Sequence, residues 1–446
     1  MKAKWNLVTC LYIVFYALYS LSTRIIPTAV LCQGMAADLL YKAVILGGCV
    51  LAAGTLFLIR KTIKGNALLY LLGGFLVILV ISTITNYKYG FVDNALGVVT
   101  FTTQLTVFYF LPLTMPKEMI HKCIRITGLC CSLLWTPACI VSLYQYVRNI
   151  TYRTLNPAGN EVRQGITDGR LFGVFSDPNF AAFSSLILSI LLVYVWRHTS
   201  KKWVKTYCII NILCNVLYLI MSNSRTIYIA AVGTILFFVF FTTYEREKGD
   251  TFRMGHFIFS LCKRGLLAVI GILAIYTLVF FPLQAVGQLT APEREVGDMV
   301  REDVTTSNIT NNRSTIWKHY LTLYKDKPIF GFSVRSALPY ASNKYPGSYL
   351  DITQYVTHNG YLSLLVETGF TGFAVMGAFL ILVLVQSIQR VRQKEKISAS
   401  YMMFANLIIA TLIFLVCFHD VFFTVNIETM LLFIAIGYIS SINARH

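Results

Sequence analysis

His358 and Asn359 open the run His-Asn-Gly-Tyr-Leu-Ser-Leu-Leu-Val-Glu-Thr-Gly-Phe-Thr-Gly, which ends on Gly369 and Gly372. An imidazole titrates near neutral pH, so a histidine held beside a hydroxyl can take its proton. On an unbroken helix, His358, Leu362, Leu365, Gly369 and Gly372 fall on one stripe, and Glu367 falls on the opposite face as a poor partner. The two glycines leave room for another backbone or a lipid head group to come close. Read alone, the same histidine is equally a helix-start residue hydrogen-bonded within a loop. Three arginines, Arg170, Arg225 and Arg313, add a second chemistry. Guanidinium forks match a diphosphate. Each also has a plainer reading, Arg225 as a cation snorkelling at a membrane boundary and the other two as solvated loop charges. No Asp-x-Asp pair accompanies them, so no metal site and no cofactor are expected.

These residues need a scaffold, and composition says what kind. The chain has 446 residues, 56% of them hydrophobic and only 13% charged. A soluble protein carries about 25% charged residues. The class expected is an all-α polytopic membrane protein forming a single membrane domain over 1–446. Charge-free runs cover residues 5–23, 43–59, 65–87, 94–116, 126–147, 178–196, 206–224, 226–244, 265–292, 368–389, 397–418 and 429–444. Each approaches the roughly 20 residues that cross a bilayer, giving about twelve transmembrane helices, the first and last being the weakest. Lys2 and Lys4 precede the first run, but no small-x-small cleavage pattern follows, so it reads as an uncleaved helix.

Loop charges orient these spans. With both termini cytoplasmic, the inside segments hold 22 of 38 basic and 5 of 20 acidic residues, a net charge of +17 against +1 outside. Basic residues favour the cytoplasmic side of short loops. The total of +18 therefore reflects membrane orientation, and no nucleic-acid partner is expected. Short inside loops without a Walker-type glycine loop exclude a nucleotide-binding domain on that side. Ten of the eleven cysteines lie in or near spans and Cys32 lies in the first external turn, with no disulfide framework or paired Cys-x-x-Cys.

Two external loops remain. The loop over 148–177 carries Arg148, Arg153, Arg163 and Arg170 and ends in Ser176-Asp177-Pro178-Asn179, a turn leading into a helix start. The loop over 284–357, between spans nine and ten, carries Arg294, Arg301, Arg313, Lys318, Lys325, Lys327, Arg335 and Lys344. Within it, 313–325 has helical spacing, with Ile316, Trp317, Tyr320, Leu321 and Tyr324 on one face suited to a membrane interface. Asp326-Lys327-Pro328 ends that helix, and Gly331-Phe332 turns the chain.

The run from His358 resembles the His-Asn-x9-Gly-x-x-Gly pattern of bacterial O-antigen ligases and the related O-antigen polymerases. Gly173-Val-Phe-Ser-Asp-Pro-Asn-Phe-Ala resembles their Gly-x4-Pro-Asn segment. Ser224-Arg225-Thr-Ile-Tyr-Ile resembles their Ser-Arg-x3-Leu segment, with Ile229 for Leu. Arg313-x3-Trp317 followed by Pro328-Ile-Phe-Gly331 resembles their Arg-x3-Trp…Pro-Leu-x-Gly stretch. The likeness covers 170–384, and the first five spans carry no such motif.

The resemblance implies a GT-C-like membrane glycosyltransferase in the bacterial cytoplasmic membrane with its active site on the external face. It implies a metal-independent, inverting transfer of a glycan from undecaprenyl diphosphate to an acceptor sugar hydroxyl. His358 would activate that hydroxyl, and Arg225, Arg313 and Arg170 would hold the diphosphate. The partners implied are the lipid-linked glycan donor, a glycan or lipid-linked acceptor, and the bilayer. A ligase would use a lipid-A core, giving lipopolysaccharide. A polymerase would use a further lipid-linked repeat unit, as in capsule or exopolysaccharide synthesis. The competing class is a transporter or flippase of lipid-linked oligosaccharides, whose folds usually show two repeated halves; no such halving is visible here.

Overall fold

Apolar runs of about 20 residues fold as helices because hydrocarbon offers their backbone groups no other hydrogen-bond partners. The computed structural model describes residues 2–31, 34–60, 67–155, 161–247, 253–290, 312–392, 397–418 and 422–443. Its helices are α1 Lys2–Ser22, α2 Ile26–Leu31, α3 Met35–Ile59, α4 Ala67–Thr85, α5 Phe91–Gln104, α6 Leu111–Thr114 and α7 Lys117–Val147. After three strands come α8 Pro178–Arg197, α9 Lys202–Met221, α10 Arg225–Glu247, α11 Met254–Thr290, α12 Arg313–Tyr324, α13 Ala337–Lys344, α14 Tyr349–Thr353, α15 Gly360–Arg392, α16 Ala399–Phe414 and α17 Ile427–Asn443. The strands are β1 Thr151–Leu155, β2 Glu161–Thr167 and β3 Arg170–Gly173.

Nine of the described helices are long and apolar enough to cross a membrane: α1, α3, α4, α7 to α11, and α15. They coincide with nine of the twelve charge-free runs, and the polytopic helical class holds. The run over 94–116 is different. It breaks into α5, a π-helical turn Leu105–Tyr109, and α6. Pro112 has no amide proton to continue the ladder. A Cβ on Gly437 of α17 would stand 2.0 Å from the Tyr109 carbonyl oxygen, so that chain passes directly against the wide turn. The last two runs form shorter helices, α16 with 16 residues and α17 with 17. Buried residues occupy nearly all of α17. Protein surrounds it, which fits its weaker apolar signal.

The chain divides into two compact units. The first takes residues 1–44, 117–303 and 394–414. In it, Trp135 of α7 lies 4.6 Å from Phe175, and Phe175 lies 4.8 Å from Tyr218 of α9. The indole Nε1 of Trp135 donates to Ser185 Oγ of α8 at 2.9 Å. Tyr218 donates its hydroxyl to the Leu171 and Phe172 carbonyls, resting β3 on this core.

The segment expected as a polar loop over 148–177 is here an antiparallel sheet in the order β1-β2-β3. Arg153 and Arg163 sit opposite each other across β1 and β2. Like charges facing across strands repel. Asp168 and Glu161 pair with both arginines and offset that cost.

The second unit takes residues 45–116, 304–393 and 415–446. The expected helix over 313–325 is present as α12. Part of its apolar face is packed inside the protein: Ile316, Tyr320 and Leu323 are buried with Phe332, Tyr340 and Val366, while Leu321 is exposed. The part of the long loop over 291–311, with Arg294 and Arg301, lies outside the described residues.

The stripe expected from His358 to Gly372 does not form. Helix α15 starts at Gly360 and breaks at Gly369, where φ is 67° and ψ is −175°. The chain at 328–333 crosses that break. Phe332 N donates to the Val366 carbonyl at 2.9 Å, and Ser333 N to the Glu367 carbonyl at 2.8 Å. In return Phe370 N donates to the Pro328 carbonyl at 2.7 Å. The close approach expected at the glycines is real at Gly369, and the visitor is another backbone.

Candidate functional site

In the second unit the site is built around the start of α15. Asn359 Oδ1 accepts from the amides of Tyr361 and Leu362 at 3.0 and 3.1 Å. Asn359 is thus the N-cap, which explains an asparagine directly after the histidine. His358 is half-buried and holds a left-handed φ of 47°. A non-glycine residue in that region is uncommon, and a rigid frame keeps it there.

That frame is α12. Trp317 Nε1 donates to the Thr357 carbonyl at 2.9 Å, and the Tyr320 hydroxyl donates to the Tyr355 carbonyl at 2.9 Å. Burial first, and the nearby Glu367 charge second, push the Tyr320 phenol up and keep it a donor. Thr357 is further tied, hydroxyl to hydroxyl, to Ser363. Arg313 is half-buried one helical turn before Trp317. The structure therefore brings Arg313 and His358 to the same end of α12.

Other loop cations are already occupied. Lys327 donates to Asn86 Oδ1 at 2.5 Å and lies among the rings of Tyr89, Phe332 and Tyr340. Burial, followed by the charge of Lys344, lowers its affinity for a proton. Lys344 pairs with Asp326 at 3.2 Å.

In the first unit the Ser222-Asn223-Ser224 turn presents Arg225, exposed, as the first residue of α10. The positive end of a helix dipole points the same way, and both favour an anion there. Arg170, only 8% exposed, serves this turn. Its Nε donates to the Ser222 carbonyl at 3.2 Å and its Nη2 to Asn179 Oδ1 at 2.7 Å. The same Asn179 oxygen accepts from Ser224 Oγ at 2.7 Å. Asn223 Nδ2 donates to the Gly169 carbonyl at 3.0 Å. Arg170 and Arg225 are thus brought together, with the described hydrogen bonds of Arg170 directed at the turn that carries Arg225.

Asp177 caps α8 as expected, accepting from the amides of Asn179 and Phe180 at 2.7 and 3.0 Å, with Pro178 at the first helical position. Two further residues of this region take part, Asn179 of the Pro-Asn motif and Arg24. Asn179 is the acceptor shared by Arg170 and Ser224. Arg24, 9% exposed, donates to Ser184 Oγ at 2.5 Å and lies 4.6 Å over the Phe180 ring. Its only mark in the sequence is a cation directly after the first apolar run.

The shared acceptor makes a prediction. Asn179→Ala leaves the Arg170 and Ser224 donors without it, and an unsatisfied buried polar group costs about 1–3 kcal/mol. Thermal unfolding of the purified protein should show that loss, while Asn179→Asp, which keeps the oxygen, should stay near the parent. Equal behaviour of the two variants would contradict this role.

Residues 210–377 match the family described as O-antigen ligase. This stretch, 168 of the 446 residues, is similar to O-antigen ligases. It takes in Arg225, Arg313 and His358 and both crossing glycines, Gly331 and Gly369, while Arg170 and Asn179 precede it. The chain is thus a polytopic helical membrane protein with a stretch similar to O-antigen ligases. A search of curated proteins finds no match to it.

Proposed function

We propose that this chain is a glycosyltransferase that passes a glycan from undecaprenyl diphosphate to a sugar hydroxyl at the external face of the bacterial cytoplasmic membrane. The observation that carries this reading is the framed histidine: His358 is fixed by the Asn359 cap and the Trp317 bond, with Arg313 at the same helix end, inside the ligase-like stretch. In this reading His358 takes the proton of the acceptor hydroxyl. The freed oxygen attacks the anomeric carbon, the bond from that carbon to the diphosphate oxygen breaks, and the diphosphate leaves with the bonding pair. Arg225 and Arg313 neutralise its growing charge. Arg170 acts through the Ser222–Ser224 turn, holding Arg225 in place. A diphosphate leaves readily once neutralised, so the protein supplies a base, charge and position.

The arginine roles are testable by donor binding. Arg225→Ala and Arg313→Ala should each weaken binding of an undecaprenyl-diphosphate glycan by about 10–150-fold, the equivalent of about 1.5–3 kcal/mol for a charged hydrogen bond. Unaltered affinity in both variants would remove the diphosphate assignment. Acceptor choice then separates the subclasses, a lipid-A core for a ligase and a second lipid-linked unit for a polymerase.

A further inference from the structure

Four of the six tyrosines in the described part of the long loop spend their hydroxyls inside the protein. Tyr320 donates to the Tyr355 carbonyl, Tyr324 to the Pro328 carbonyl, and Tyr340 and Tyr345 to the Asp326 carboxylate. Tyr349 and Tyr355 do not. Among the described residues their hydroxyls have no hydrogen-bond partner, and neither have the ring nitrogens of His319. These three rings adjoin one another in the second unit. His319 of α12 lies flat on Tyr349 of α14, with centroids 4.5 Å apart and planes inclined by 11°. Tyr349 in turn lies 6.5 Å from Tyr355. Tyr349 rests on the core beneath α12, His319 is exposed, and Tyr355 is 50% exposed. The frame grips Tyr355 by its carbonyl, which any residue would offer. A fixed backbone thus holds an aromatic ring out to water, forgoing part of the roughly 1.5–3 kcal/mol that burying a large apolar side chain yields.

We propose that His319, Tyr349 and Tyr355 form a sugar-binding platform for the acceptor glycan. The inference rests on the transfer reading given above. A pyranose ring has a face of C–H bonds and a rim of hydroxyls. The electron-rich face of an aromatic ring attracts the C–H face. The uncommitted phenols and imidazole meet the hydroxyl rim as donors and acceptors. An acyl chain would cover the ring faces and leave those polar groups stranded, so a sugar fits the strip better than the bilayer does. Tyrosine also gives up little conformational entropy on contact, having two side-chain torsions. Tyr355 precedes His358 by three residues, a chain reach of at most about 11 Å. A glycan lying on the platform therefore brings its end to the imidazole.

The test uses full-length protein in lipid nanodiscs. Initial transfer rates are measured against varied lipid-A core at saturating undecaprenyl-diphosphate glycan, or against varied lipid-linked glycan alone if the parent protein polymerises it. Tyr355→Ala should raise KM for the acceptor by about tenfold, the loss of one ring beneath a sugar face, with kcat near the parent's. Tyr355→Phe, which keeps the ring, should recover most of that loss. Ile352→Ala removes a 73% exposed apolar side chain from α14, outside the platform, and should leave KM unchanged. An acceptor KM unmoved by Tyr355→Ala overturns the proposal and leaves the transfer reading standing. An equal rise in KM for Ile352→Ala means that the bilayer covers this face, and also overturns it. No glycosidic product from the parent protein refutes the transfer reading and this inference with it.

Discussion

Replacing His358 with asparagine should lower glycan transfer by about 10²–10⁴-fold, the usual contribution of a positioned acid–base group, while donor binding persists. Asparagine is the informative substitution because of the backbone. At φ 47° most side chains are strained, and asparagine is among the residues that tolerate this region best. His358→Ala mixes loss of the imidazole with a cost in holding the left-handed turn. His358→Asn leaves the turn, the Asn359 cap and the Trp317 bond to Thr357 in place and removes only the ring. The measurement is initial transfer rate at saturating donor, with donor affinity measured in parallel. Near-parental turnover in His358→Asn would show that the imidazole does no proton transfer. A loss of donor affinity matching the loss of rate would instead make the ring a binding group.

The largest structural effect should come from Gly369→Ala. Gly369 has φ 67° and ψ −175°, a region nearly confined to glycine, and occupying it with another residue costs about 1–3 kcal/mol. The space is also taken: a Cβ there would lie 2.2 Å from the Ile329 carbonyl oxygen and 2.3 Å from its carbon. The segment that crosses it has its own glycine for the same reason. A Cβ on Gly331, at φ 69°, would lie 2.5 Å from Val366 O, Glu367 C and Gly369 N. Neither backbone can retreat without losing the hydrogen bonds that pin the loop to α15. Gly369→Ala should therefore lower the melting temperature and the yield of folded protein. Gly377→Ala, further along the same helix with nothing within 4 Å of its new Cβ, should be neutral or mildly stabilising. Similar melting for the two variants would mean that the crossing is not as tight as described.

These glycines also mark where sequence reading stops. Local signals carried well. Nine spans followed from runs without charge, α12 from its spacing, and the start of α8 from Asp177-Pro178. Each depends on residues a few positions apart. The misses depend on residues far apart. The break at Gly369 is set by Pro328 and Ile329, some forty positions away, so a continuous stripe from His358 was the natural local reading. The wide turn at Leu105–Tyr109 needs Gly437 against it. The sheet over 151–173 has short strands, and β1 is exposed along its length, so nothing in its composition set it apart from a polar loop. Of the site, residue types were legible and their division of labour was not. Arg170 and Arg225 look alike as loop cations. Only the shared oxygen of Asn179 shows that one builds the turn that presents the other.

The most direct test of glycan transfer is a reaction with purified full-length protein and a glycan on undecaprenyl diphosphate. It is run with lipid-A core as acceptor, and separately with donor alone. A new glycosidic bond is expected in at least one reaction: single glycan addition to lipid-A core for a ligase, or a ladder of lengthening glycans for a polymerase. Donor that binds but yields no glycosidic product in either reaction, and instead moves between leaflets of proteoliposomes, would contradict it and make this chain a transporter.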